Sequence, residues 1–416
     1  MEGLVSATAR GSFQRAFGSG EAFPFEEDFR FDFLLGHFNE KNKRGQLPQS
    51  LKKLQILDCQ KLQCLLDGNE DTSTSLRRAD DNEDTNTSHH LQDLYISNCP
   101  SLTCLTSIYQ LPATLKSLAI WNCSKLTTLS STGHLPVAIK HLTISDCSEL
   151  TALIPKGQLP ETLETLYIYI CPKLESVVEK FHNNKALHDI HIFHCDHLKS
   201  FPEGLETLSG LRSMKMIGCR GFASFPKGRF PDSNLTVDVQ MCEKLEALPS
   251  GIHHLSSLSI NNCPNLRLSE EGLPTKLASL SISDRKQYKA PMELGLHNLT
   301  SLSYLCIYGH SLQEEDMRIT LPRSLTKLSI EDFPNLKYLS FKDFERLPSL
   351  ENLQIDNCPE LTSLPSLPSS LLQLYILRCP LLEEACKRDK GKEWSKIADI
   401  PFVEIDLKFI YEPSEN

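Results

Sequence analysis

Two kinds of side chain in this sequence could do chemistry: fifteen cysteines, and a knot of histidines around one of them. Cys99, Cys123, Cys147, Cys171, Cys195 and Cys219 stand 24 residues apart, and Cys242 and Cys263 follow after 23 and 21. Thiols spaced so evenly could become a ladder of disulfides or of metal ligands if the fold stacks them. His188, His191, His194 and His197 crowd around Cys195 and add the imidazoles of a zinc site.

Both chemistries ask for more than residue type. Strands stacked by such a period lie about 4.8 Å apart, whereas bridged cysteines want Cβ atoms roughly 3.5 to 4.5 Å apart. A stacked thiol ladder is therefore expected to stay reduced and to serve as small, weakly polar core. Neither CxxC nor HExxH accompanies the histidines, so no metal is expected. The sequence also lacks a GxxxxGK[ST] phosphate loop and a GxSxG elbow, which argues against an enzyme and against a cofactor in this chain.

The cysteines belong to a longer frame. Apolar residues stand eight, five and three positions before each, and usually Leu or Phe three positions after. Thus Leu91, Leu94 and Ile96 precede Cys99, and Leu163, Leu166 and Ile168 precede Cys171. The frame persists without the cysteine at Arg285, His310 and Phe333, and it is loosest at Cys242, where Asn234 holds the first place. Counted from Cys59 to Cys379 it is written about fourteen times. A period of 20 to 29 residues is the mark of a leucine-rich repeat.

Each copy has one short strand, too small to bury its own apolar side, so neighbours must stack around a shared core. The expected fold is an α/β leucine-rich-repeat solenoid: a curved horseshoe with a parallel concave sheet. Proline-bearing links such as Gly157-Gln158-Leu159-Pro160 suit short extended or 3-10 returns on the convex side. The solenoid should occupy 47–386. A charged tail over 387–416 should cap it, since a solenoid needs a polar end. The stretch 67–90 is acidic and without apolar rhythm, and reads as a disordered insertion. Residues 1–46 lie outside the frame and hold eight of the nineteen phenylalanines, as a capping or foreign segment would.

The positions four, two and one before each cysteine point outward or form the rim. Here the copies differ. Tyr95, Trp121, Tyr167, Tyr169, His191, Phe193 and Ile217 occupy them early, with His194 on the rim. Later copies bring Ser259, Asn261, Ser281, Glu331, Asp332 and Asp356. The aromatic group spans six strands, roughly 24 Å at the usual strand spacing, which suits a protein partner.

A net charge of -10 lacks the basic stripe of a nucleic-acid binder. No apolar run reaches the roughly 18 residues of a membrane span, and the first residues lack a signal peptide's apolar core. These features point to the cytoplasm or the nucleus.

The tail CPLLEEACKRDKGKEWSKIADIPFVEID, residues 379–406, resembles the end of the repeat region in plant coiled-coil, nucleotide-binding, leucine-rich-repeat disease resistance proteins. The phrases NCPSLTCL, GQLPETLETLYI, FPEGLETLSGL and IEDFPNLKYLS are similar to the same family, and the likeness runs over about 47–410. That resemblance implies an intracellular immune receptor whose repeats sense a pathogen effector, or a host protein modified by one. It also implies that the repeats restrain the receptor's nucleotide-binding NB-ARC domain. That domain, its phosphate loop and the coiled coil have no counterpart among these residues, so nucleotide binding does not carry over. The alternative is a stand-alone adaptor or decoy, for example the substrate-recognition arm of a ubiquitin ligase.

Overall fold

The computed structural model describes residues 51–66, 90–106, 111–130, 133–155, 157–226, 228–267, 273–283, 295–309 and 316–409. The expectations for 1–46 and for the acidic insertion, apart from His90, fall outside the described residues, as do Arg285 and His310.

Alternate residues of a strand face opposite sides, and the frame puts its leucines and isoleucines on one of them. The strands are correspondingly short: Ser117–Trp121, His141–Ser145, Thr165–Tyr169, Asp189–Phe193 and Ser213–Ile217 are typical. They join a single sixteen-stranded sheet whose order follows the chain, from Lys53–Leu57 to Lys408–Phe409. The pairing is parallel and places like on like, Leu118 beside Leu142 beside Leu166, and Ile120 beside Ile144 beside Ile168. The register shifts between Leu235 and Thr236, next to the poorly matched Asn234. Only the closing pair, Phe402–Ile405 with Lys408–Phe409, is antiparallel. The chain is a leucine-rich-repeat solenoid.

Leu163, Leu166, Ile168, Cys171 and Leu174 are all fully buried, and the same five places in neighbouring repeats make one continuous core. The cysteines are free thiols. Each frame thiol donates to the carbonyl two residues before it, at 3.4 Å from Cys123 to Trp121 and 3.4 Å from Cys171 to Tyr169. That carbonyl already accepts an amide from the preceding repeat, so the thiol adds a second, weaker donor at the strand end. Burial pushes the Cys195 thiol well above its usual value, and the neighbouring Cys219 thiol adds to that shift. Such thiols are poor nucleophiles. Phe333 takes the frame cysteine's place in one repeat, and the neighbouring repeat makes room with Gly309, where a Cβ would stand 2.1 Å from the Phe333 ring.

One residue before each frame cysteine the backbone turns left-handed. Asn98, Asn122, Asp146, Asn262 and Asn357 all have φ between 49° and 56°. Asn and Asp tolerate this region better than other residues with a Cβ. The turn frees the amide to bridge repeats, as in Asn122 to the Ser145 carbonyl at 3.0 Å and Ile170 to the Phe193 carbonyl at 2.8 Å. The side chains can stack too: the Asn122 amide donates to Asn98 Oδ1 at 2.8 Å. Ile170, with φ 52°, is the misfit, because a β-branched residue is strained there.

The returns contain short 3-10 turns, Leu205–Thr207, Ile252–His254, Leu296–Asn298 and Phe344–Arg346. Small parallel ladders also form on the return side, Cys64–Leu66 with Cys104–Thr106 and Asp316–Met317 with Tyr338–Leu339. At the far end two helices, Pro380–Ala385 and Trp394–Ile397, lead to Phe402–Ile405, which adds to the sheet beside Gln373–Leu377. The buried Glu393 carboxylate accepts from the Leu364 amide at 3.0 Å and pairs with Lys396 Nζ at 2.7 Å. Lys396 in turn donates to the Leu364 carbonyl at 2.6 Å. The tail is thus tied to the last return.

Two stability changes follow. Ile170→Asn should relieve the strained turn and raise unfolding stability by about 1 kcal/mol, the scale of left-handed strain. Denaturant unfolding of the full chain checks this, and a loss of stability contradicts it. Glu393→Ala should cost about 2 kcal/mol by stripping the buried Leu364 amide of its acceptor and Lys396 of its ion pair. Hydrogen exchange should then quicken at Gln373–Leu377 and Phe402–Ile405 while Thr165–Tyr169 stays protected.

Candidate recognition face

The outward residues of the sheet form columns, because the register sets equivalent positions side by side. One column runs Tyr95, Ala119, Thr143, Tyr167, His191, Lys215, and the next Ser97, Trp121, Ser145, Tyr169, Phe193, Ile217. The large side chains are not spread evenly along them.

Four rings from two adjacent strands make one unit. His191 stacks on Tyr167 at 4.7 Å between centroids, and Phe193 meets Tyr169 edge-on at 5.1 Å. His191 and Phe193 lie nearly parallel at 6.0 Å, and Tyr167 and Tyr169 are 6.2 Å apart. Such distances fit favourable aromatic pairing. His191 Nε2 is also 3.2 Å from Ser213 Oγ, which orients the imidazole. Burial raises the Tyr167 hydroxyl above its usual range, and Asp189 adds to the shift. Ile217 and Lys215 border the group on the next strand.

Four of the expected contact residues are placed by more than the plain alternation. Tyr169 points to the outer side of the sheet but is only 6% exposed, because its own neighbours close over it. It supports the other rings instead of standing free. His194 is on the rim with φ 55°, and its ring folds toward the next repeat, where a Cβ on Gly218 would stand 2.3 Å from His194 Nδ1. It does not join the stack. Tyr95 and Trp121 are half-buried and lie on the two strands before Thr143 and Ser145, which are both buried. Trp121 lies between Ser97 and Ser145, and Tyr95 beside Ala119. Burial raises the Tyr95 hydroxyl against a partly offsetting hydrogen bond with Ser97.

The histidines do not converge. His188 Nδ1 pairs with Asp189 at 2.9 Å, His191 stacks on Tyr167, and His194 covers Gly218. Among the described residues no three metal-ligating side chains come together.

A further cluster was not singled out from the sequence. On Tyr304–Tyr308 two tyrosines flank Cys306, which is fully buried despite pointing to the outward side. Opposite stand Lys327, Ser329 and Glu331. Lys327 Nζ lies 5.5 Å from the Tyr304 ring centroid, Ser329 donates to Glu331 Oε1 at 2.6 Å, and the Cys306 thiol approaches the same oxygen at 3.5 Å. Burial, with Glu331 nearby, pushes the Cys306 thiol up to about 12. Tyr304 and Tyr308 are raised far above the usual tyrosine range, first by burial and then by Cys306. Tyrosines six and two places before the frame position of His310 were the legible signal. Beyond them, Asp356 pairs with Arg378 at 2.7 Å, and burial raises its carboxyl.

A protein of Arabidopsis thaliana named for disease resistance is 33% identical over 177 residues, 40% of this chain. The tobacco mosaic virus resistance protein N of Nicotiana glutinosa is 31% identical over 161 residues, 35% of the chain. The chain is similar to plant disease resistance proteins. It spans only 12% and 13% of the length of those two relatives. No family model matches the sequence. Among solved structures, the repeat ectodomain of the Arabidopsis thaliana membrane receptor kinase GASSHO1/SCHENGEN3 is 16% identical, covering 69% of this chain and 48% of its own, with a TM-score of 0.26. A leucine-rich repeat protein of Bacteroides ovatus is 15% identical, covering 91% and 99%, with a TM-score of 0.24. No helix among the described residues is long and apolar enough to cross a membrane.

The raised phenols make an alkaline prediction. A tyrosine ordinarily ionises near about 10. With the folded value raised, its contribution to stability is full below the unfolded value and is lost as pH rises from there through the folded value. Tyr308→Phe should therefore flatten the loss of stability above about pH 10, as followed by denaturant midpoints across pH. An unchanged alkaline profile contradicts the burial of that hydroxyl.

Proposed function

We propose that this chain is the protein-recognition region of a plant intracellular immune receptor, acting in defence in the cytoplasm or nucleus. It senses a pathogen effector, or a host protein modified by one, and restrains the receptor's NB-ARC domain until that partner binds. The stacked rings of Tyr167, His191 and Phe193 carry this reading. They are half-buried, packed by their own neighbours, and set in rigid strands, so little side-chain freedom remains to be lost on contact. Aromatic anchors of that kind dominate protein interfaces. Trp121 and Tyr95 would form a second contact, one and two strands beyond Thr143 and Ser145.

The reaction in this reading is binding alone, without catalysis or a cofactor in this chain. A partner held by the face biases a switch only by binding one receptor state better than the other. Similarity to disease resistance proteins supports the defence setting, and the half-buried rings support a protein contact.

The test is proximity labelling in leaf cells with the full chain fused to a promiscuous biotin ligase. Wild type should label a defined set of proteins that Tyr167→Ala combined with Trp121→Ala loses. Arg346→Ala, on the return side, should keep that set. For a purified partner the double variant should weaken binding at least about 30-fold, the scale of hot-spot truncation. Identical labelling by all three chains rejects the aromatic face as the recognition surface.

A further inference from the structure

We infer that Cys64 and Cys104 are a redox pair, oxidised by peroxide to a disulfide that staples the first repeat to the second. Neither is a frame cysteine: Cys59 and Cys99 fill those places, and Cys64 and Cys104 each come five residues later. Later repeats carry Thr128, Ala152, Ser176, Ser200 and Ser224 at that position, so the core does not require a thiol there. The position stacks from repeat to repeat all the same, as the bridges Ala152 to Ser176 and Ser200 to Ser224 show. In the first two repeats that stacking sets Cys64 directly opposite Cys104 in a parallel ladder.

The two sulfurs are 3.6 Å apart, with the Cys104 thiol directed at Cys64. A disulfide needs about 2.05 Å, so a rotation of the side chains with a small yield of the backbone closes the gap. The yield is available here. The ladder has two strands of three residues each, whereas the frame cysteines end strands of the sixteen-stranded sheet. Access adds a second difference, with Cys59 the one partly exposed frame thiol. Cys104 is partly exposed, while the frame thiols from Cys99 to Cys263 are fully buried. Strands about 4.8 Å apart discourage disulfides among the frame thiols, and they leave this looser pair as the exception.

The oxidant is hydrogen peroxide. The Cys104 sulfur attacks one peroxide oxygen, the O–O bond breaks, and Cys104 becomes a sulfenic acid with release of water. The Cys64 sulfur then attacks the Cys104 sulfur, forming S–S and breaking S–O. The departing hydroxide takes the Cys64 proton and leaves as a second water. Two thiols lose two electrons in total and one peroxide is reduced to two waters. A dithiol reductant reverses the bond by thiol–disulfide exchange. The bond would tether Lys53–Leu57, the first strand in the sheet order, to its neighbour Asp93–Ser97 from the opposite side of the repeat.

The test treats the full chain with a small excess of hydrogen peroxide, alkylates what remains after denaturation, and maps peptides without reduction. The expected product is a Cys64–Cys104 crosslink, lost on dithiothreitol, with Cys147 and Cys195 recovered as alkylated thiols. Hydrogen exchange at Lys53–Leu57 should slow in the oxidised form. Cys64→Ser, which installs a residue that later repeats use at this place, should abolish the crosslink and leave Cys104 trappable by dimedone. A Cys59–Cys99 crosslink in its place, or full alkylation of Cys64 and Cys104 after peroxide, overturns the assignment.

Discussion

A five-residue strand with two inward side chains cannot fold alone, and everything else in this protein depends on that. Leu166 and Ile168 are out of water only because Leu142 and Ile144 lie on one side and Ile190 and Ile192 on the other. Stability therefore comes from nearest-neighbour stacking. Any shift of register by one residue would turn the apolar set outward. The frame cysteine and the left-handed residue before it hold each strand end in place, one by a thiol donated to a carbonyl and the other by an amide given to the next repeat.

The same constraint creates the outer face. Once the inner column is locked, outer residues of adjacent repeats must be lateral neighbours, and a ring on one strand meets whatever the next supplies. Where two successive repeats supply aromatics, the rings pack on each other, as Tyr167 does on His191. Where a small residue follows, as Ser145 follows Trp121, the next strand supplies no second ring in that column. A recognition surface can thus change by substitution without touching the core, because the two faces of a strand are chemically separate.

The rim shows where these demands collide. Most repeats satisfy its left-handed turn with Asn, Asp or Gly, but Ile170, His194, Met241 and Arg378 occupy it as well. Ile170 and His194 border the aromatic unit directly, since each follows one of its strands. Backbone strain held next to a candidate contact surface is a feature found at binding sites.

The period, the spine and the parallel stack were readable from the chain, because a repeating apolar spacing leaves a five-residue strand one way to be buried. The inward set Leu166, Ile168, Cys171 and Leu174 and the outward set around Tyr167 follow from alternation alone. Alternation says which side a residue takes but not how much water reaches it. The burial of Tyr169 under its neighbours, the folding of His194 over Gly218, and the burial of Thr143 and Ser145 arise from contacts between repeats. Those depend on side chains 24 residues apart meeting at one place. The Tyr304–Cys306–Tyr308 cluster and the Cys64–Cys104 pair belong to the same class. Residue types and spacing determined the scaffold, and only lateral packing determined which of its outer groups stand free, support one another, or come close enough to react.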